Sequence, residues 1–187
     1  VITTCIILIC GGVFLGIYFM NQDLFIDIFG TSFFYRMDRI LNWSNSNGLQ
    51  LTNGLTAIGS GGMLGHGFNH TPIYFPEMQT DFIFAVFASN FGFLGTLLLL
   101  GLIVFFDLNI ISLANKSHND NDKLLVGGII AVLLFQQMQN IGMTLGLLPI
   151  MGITLPFISY GGSSLLSYMI LIGMLFNISN ENLRFKN

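Results

Sequence analysis

Two carboxylates, Glu77 and Asp81, lie in the stretch Pro76-Glu77-Met78-Gln79-Thr80-Asp81, at the mouth of a long apolar run. From Phe82 to Phe106 there are 25 residues without a charge, long enough to cross a bilayer as a helix. The carboxylates therefore fall where a lipid headgroup would sit, beside a hydrophobic wall. A carboxylate held there and partly desolvated is suited to act as a general base. The same residues suit the start of a helix: proline fits the first turn, and acids there are stabilised by the helix dipole. The dipole lowers a carboxyl pKa and burial raises it, so spacing leaves both the catalytic and the capping role open.

Other residues with chemical potential lie on either side. Phe29, Phe33, Met37, Ile40 and Trp43 share one helical arc with Asp38 opposite, the pattern of an interfacial helix with Trp at headgroup depth. Arg36 falls within that arc and Arg39 at its edge. Their stems either snorkel along the apolar face or present guanidinium forks to phosphate. Leu51, Leu55 and Ile58 predict a second short amphipathic helix, running into Gly59-Ser60-Gly61-Gly62. Gly59, Gly61, Gly62, Gly65 and Gly67 allow positive φ and close backbone approach. They offer a phosphate cradle of backbone N–H groups, although no strand and Lys-Ser/Thr follow as in a P-loop. His66 and His70 are four apart but have no third ligand at helical spacing, so metal binding is unassigned.

Further along, Gln136, Gln139 and Asn140 share a helical face, with Gln137 close by. Amides at that depth need partners, so this face points into the bundle, as does Asn90. Gly142 and Gly146, four apart, allow close helix contact. Leu155-Pro156-Phe157-Ile158-Ser159-Tyr160-Gly161-Gly162-Ser163-Ser164 reads as a loop turning into a helix, with Ser159 placed as an N-cap.

The elements that must position these residues are membrane spans. Hydrophobic residues make up 53% of the chain and charged ones 8%, where a soluble domain carries about 25% charged. The six basic and nine acidic residues all fall outside four apolar segments, 1–20, 82–106, 124–148 and 161–180. The fold class is therefore an all-α polytopic membrane protein, forming a single membrane domain. A net charge of −3 with no basic run gives no sign of a nucleic-acid partner. Cys5 and Cys10 read as small apolar fillers. The chain starts inside an apolar run with no basic region before it, and so reads as the later part of a longer protein.

Lys116, Lys123, Arg184 and Lys186 fall in the loop 107–123 and the tail 181–187, whereas the loops 21–80 and 149–160 carry only Arg36 and Arg39. The positive-inside rule places the first pair of segments in the cytoplasm and Glu77 and Asp81 on the extracytoplasmic face. A sixty-residue loop such as 21–80 is expected to carry structure or function of its own.

Several motifs together resemble one family. Ala57-Ile58-Gly59-Ser60-Gly61-Gly62, Pro76-Glu77 with Thr80-Asp81-Phe82-Ile83-Phe84, Asn140-Ile141-Gly142-Met143 through Leu147-Leu148-Pro149, and Pro156 to Ser164 are similar in kind and order to the RodA/FtsW/SpoVE (SEDS) proteins of bacterial shape, division and sporulation. Arg36 and Arg39 resemble the family's paired arginines. The resemblance, closest to RodA, implies a ten-span fold of which this chain holds the last four spans.

It also implies peptidoglycan glycosyltransferase activity on lipid II at the outer face of the cytoplasmic membrane, with Asp81 as the catalytic residue. Arg36, Arg39, Glu77, Ser159 and Tyr160 are the candidate substrate-binding residues. A divalent cation (Mg or Mn) is the candidate cofactor, and a class B penicillin-binding transpeptidase the implied partner. His66 stands where the family commonly has Lys, and Gln79 where His is frequent. Two other readings are a lipid II flippase, which would need polar groups through the bilayer, and a non-catalytic scaffold, for which Asp81 would be dispensable.

Overall fold

Backbone N–H and C=O groups inside a bilayer must pair within the protein, and a chain this apolar meets that demand with helices. The computed structural model describes residues 16, 18, 21–35, 49–117 and 119–184, and the regular structure among them is helical. The chain forms two compact units, Val1–Ser46 and Asn47–Asn187.

In the first unit, α1 spans Gln22–Phe29 and stops at Gly30, whose φ of 83° ends the helix. Phe25 is fully buried, with the Tyr18 ring edge-on at 5.4 Å and Phe29 at 4.9 Å. A helix starting at Gln22 is not apparent from apolar spacing, which points to a start near Phe29. Arg36, Met37, Asp38, Arg39, Ile40 and Trp43 lie outside the described residues, as does most of the expected span 1–20.

The second unit holds α2 (Leu49–Ser60), α3 (Ile83–Lys116), α4 (Asp120–Thr144) and α5 (Gly162–Arg184). Among the described residues, α3, α4 and Gly162–Asn182 of α5 are long and apolar enough to cross a membrane. Their outward faces carry exposed Leu97, Leu98, Leu102, Phe105 and Phe176, which suits lipid contact. This is a multi-pass membrane protein. One core joins α3, α4 and α5 through Ile110, Val126, Leu133, Tyr168 and Leu175. A second joins α2 to the start of α3 through Ala57, Phe75, Phe82 and Ala85.

α2 forms as expected but packs through a different face. Leu51 and Ile58 pack against the second core, whereas Leu55 is exposed. The buried line runs through Gly54 and Ala57, because a small residue is needed under the Phe82 ring. A Cβ on Gly54 would lie 3.0 Å from it. Of the two glycines expected to allow close helix contact, Gly146 meets α2, where a Cβ would lie 3.6 Å from Leu51, although the pair does not share one helix face. Gly146 lies beyond the end of α4 with φ 74°, and Gly142 faces the side chain of Leu148 on the returning chain.

α3 departs from the sequence expectation in two ways. It is interrupted at Gly92 (φ 65°, ψ −166°), and the glycine-rich segment fills the gap. In an unbroken helix the N–H of Phe93 would donate to Ser89 O and that of Leu94 to Asn90 O. Here Phe93 N–H donates to Gly62 O (2.9 Å) and Leu94 N–H to Met63 O (3.2 Å). Ser89 O instead accepts from His66 N–H (3.1 Å), and Asn90 O from Gly67 N–H (3.0 Å). Two helical bonds are thus replaced by four bonds to a docked loop. The Thr71 hydroxyl adds a bond to Asn90 Oδ1 at 2.9 Å. A phosphate cradle would need the N–H groups of His66 and Gly67 free, and both are engaged. The His66 ring nitrogen Nδ1 also lies 3.1 Å from Ser89 O.

The second departure is length. α3 continues through Asp107 to Lys116, leaving Ser117–Asn119 before α4, where a loop over 107–123 was expected. A charge ends the apolar run, but the helix tolerates it because Gln137 Nε2 on α4 donates to the buried Asp107 Oδ1 at 3.2 Å. Gln137→Leu is expected to destabilise the protein by about 1–3 kcal/mol, since a buried carboxyl loses its donor. The double variant Asp107→Leu/Gln137→Leu should recover most of that loss. Thermal unfolding in detergent checks both, and a single variant as stable as wild type would refute the pairing.

Candidate active site

The residues preceding α3 form a tight turn that presents its two carboxylates differently. Glu77 adopts φ 59°, and its carbonyl accepts from the N–H groups of Thr80 (3.3 Å) and Phe82 (3.2 Å). The Thr80 hydroxyl donates to Glu77 Oε2 at 2.7 Å, so this exposed carboxylate is tied into the turn. Gln50 Nε2 of α2 donates to Pro76 O at 3.1 Å, anchoring the near end. The N-cap of α3 is Phe82, with no side-chain cap bond. The capping role open to Glu77 and Asp81 in the sequence is thus taken by neither.

Asp81 is held by its backbone, which leaves its carboxylate available. Three successive carbonyls entering α3 each have a donor from another part of the unit. Gln79 O accepts from Tyr160 N–H at 2.9 Å, Thr80 O from the Ser159 hydroxyl at 2.7 Å, and Asp81 O from Asn140 Nδ2 at 2.8 Å. The segment 149–160 supplies two of these donors and α4 the third.

That segment is pinned in turn. Asn140 Nδ2 also donates to Ile153 O at 2.7 Å, Gln139 Nε2 to Pro149 O at 2.9 Å, and Leu155 N–H to Ser159 Oγ at 2.7 Å. The amide face of α4 therefore acts largely as anchorage for loops, as well as between helices. Ser159 bridges two segments and does not cap α5, which starts at Gly162.

The Asp81 carboxylate lies over Gly152. A Cβ built there would come within 3.1 Å of Oδ2, and Gly152 adopts φ 66°, so glycine fits on both counts. No side chain among the described residues donates to the Asp81 carboxylate. Burial raises its pKa from the ordinary value, and the Glu77 charge pushes it the same way. A partly desolvated carboxylate at a membrane-helix mouth, with no side-chain donor among the described residues, is equipped to accept a proton.

Of the other candidates, Tyr160 gives its backbone N–H to the turn and leaves its ring exposed, while the Ser159 hydroxyl is engaged within the protein. Arg36 and Arg39 lie outside the described residues. Among the described residues no three His, Cys, Asp or Glu side chains converge as a metal set. Glu77 is the carboxylate that would help hold a divalent ion, whose remaining ligands would come from substrate oxygens and water. Sequence alone does not single out Asn140 or Gly152 for this site. Asn140 shows there as an inward amide and as part of a family-like motif, neither of which ties it to Asp81, and Gly152 carries no signal.

The family model described as Cell cycle protein, covering FtsW, RodA and SpoVE, matches residues 1–184. A probable peptidoglycan glycosyltransferase FtsW of Coxiella burnetii is 42% identical over 159 residues, spanning 79% of this chain and 43% of the relative. The peptidoglycan glycosyltransferase RodA of Treponema pallidum is 35% identical over 159 residues, spanning 80% of this chain and 37% of the relative. The chain thus spans less than half the length of these curated relatives.

Among solved structures, a chain from a peptidoglycan synthase complex that coordinates polymerization and crosslinking superposes with a TM-score of 0.65. It is 25% identical and covers 92% of this chain and 48% of that one. A mutant of the rod shape determining protein RodA from Thermus thermophilus superposes with a TM-score of 0.52 at 36% identity, over 65% of this chain and 37% of that one.

Proposed function

The chain belongs to the FtsW/RodA/SpoVE family of cell cycle proteins, and from that membership we propose that the intact protein is a peptidoglycan glycosyltransferase polymerising lipid II at the outer face of the cytoplasmic membrane. The observation that carries this reading is the Asp81 carboxylate: uncapped, half-buried, raised in pKa and held by bonds to its own backbone. Asp81 takes the proton from the 4-hydroxyl of the acceptor disaccharide as that oxygen attacks the anomeric carbon of the donor. The bond from that carbon to pyrophosphate breaks, and undecaprenyl pyrophosphate leaves with the electron pair. Pyrophosphate is a good leaving group and needs no general acid, so one base serves where glycosidases use a carboxylate pair.

Cationic groups are needed against the departing phosphates; Arg36 and Arg39 are the candidates for that role, and a divalent cation, which Glu77 would help hold, would supply further positive charge. The exposed Tyr160 ring is the candidate for contact with the sugar. A class B penicillin-binding transpeptidase is the proposed partner, a pairing supported by the similarity to a chain of a complex that couples polymerization to crosslinking.

The test is lipid II polymerisation by the intact protein with its transpeptidase present, wild type against Asp81→Asn. Glycan chains from the variant at the wild-type rate would move the base elsewhere, first to Glu77, and would reopen the flippase and scaffold readings.

A further inference from the structure

We infer that Asn140 is a positioning residue for the reaction, setting where the Asp81 carboxylate sits by tying together three separate parts of the chain. The inference rests on Asp81 being the base. Asn140 is fully buried on the last turns of α4, 59 residues from Asp81 in sequence. Its single Nδ2 donates in two directions, to Asp81 O at 2.8 Å and to Ile153 O at 2.7 Å. The first bond fixes the backbone from which the carboxylate projects. The second fixes the backbone next to Gly152, the surface on which that carboxylate rests. One amide thus sets the distance between the base and its seat.

Among the described residues Asn140 Oδ1 has no hydrogen-bond partner, so the donor end of the side chain alone joins the two segments.

The experiment uses the intact protein with lipid II and compares Asn140→Leu, close in size but without a donor, with Gly152→Ala, which places a methyl group against Oδ2. Misplacing a reacting group by about 1 Å costs roughly 10²-fold, so both variants should lose about that much kcat while KM stays within about twofold. Gly152 is exposed in a loop, so Gly152→Ala remains informative if Asn140→Leu does not fold.

Folded variants with unaltered kcat, or with a loss that falls on KM instead of kcat, would overturn the inference. Asp81→Asn, measured in parallel, separates the two levels. An active Asp81→Asn would sink the base assignment and this inference together. An inactive one beside unaltered Asn140→Leu and Gly152→Ala would sink the inference alone.

Discussion

Asp81→Asn in the intact protein is expected to lower the rate of lipid II polymerisation by about 10²–10⁴-fold, the usual contribution of a positioned general base. The side chain keeps its size, and the bond from Asn140 Nδ2 goes to the backbone carbonyl of residue 81, so the turn before α3 should persist. Only the proton acceptor is removed.

The pH dependence gives a second check on the same residue. Burial, and then the Glu77 charge, raise the Asp81 pKa in the folded protein. A base must be ionised to act, so activity should fall on acidification through a limb lying above the ordinary value for an aspartate. The stability consequence has the opposite sense. A carboxyl whose folded pKa exceeds its unfolded value contributes stability that is lost as pH rises through the folded pKa. At neutral pH ionised Asp81 is therefore a small liability, and Asp81→Asn should unfold at the wild-type temperature or slightly above. An inactive variant with a sharply lower Tm would instead show a residue needed to hold the turn together.

Gly65→Ala is expected to be the most disruptive small substitution in the described unit, costing about 3 kcal/mol or more from overpacking and a left-handed alanine combined. Gly65 adopts φ 77°, and a Cβ there would press on the backbone of Asn90 and lie 2.6 Å from Gly92 N. Both neighbours are main chain held in the interrupted helix, so neither can swing aside. Displacing the loop would break the bonds from His66 and Gly67 to Ser89 O and Asn90 O, and those to Phe93 and Leu94. Four backbone groups would then lose their partners within a membrane-spanning helix.

Gly101→Ala supplies the control. It lies in the same helix with open space around its Cα and should gain roughly 0.5–1 kcal/mol from helix propensity. Thermal unfolding of the two variants in detergent should separate them clearly. Equal stability would show that the loop does not fill the break as described.

Asp81 is legible in the sequence because its neighbours are so unlike it. A carboxylate at the edge of 25 uncharged residues stands out on hydropathy alone. Its freedom from capping is not legible there, because the same acids suit the first turn of many helices. Phe82 in fact begins α3 without a side-chain cap, and the side chains that hold this turn lie 59 and 79 positions further along the chain. The break at Gly92 is hidden for a similar reason. One glycine in an apolar run signals little, and the loop that stabilises the break lies far earlier, around Gly62 and Met63. The helix beyond Phe106 escapes hydropathy because the apolar run stops at Asp107, whereas a helix continues wherever its polar side chains find partners.

By itself, then, the sequence determined what depends on local composition: three described membrane helices, a short helix before the glycines, acids at a helix mouth, and an amide face turned inward. Those features follow from the cost of placing charge and unpaired polar groups in hydrocarbon, a cost each segment meets by itself. Only the tertiary structure decided which donors meet which acceptors: the glycine loop in the break of α3, Gln137 on Asp107, and Asn140 between Asp81 and Ile153. Such pairings join residues distant along the chain, and the hydrogen-bonding capacity of a side chain does not specify its partner until the helices have packed.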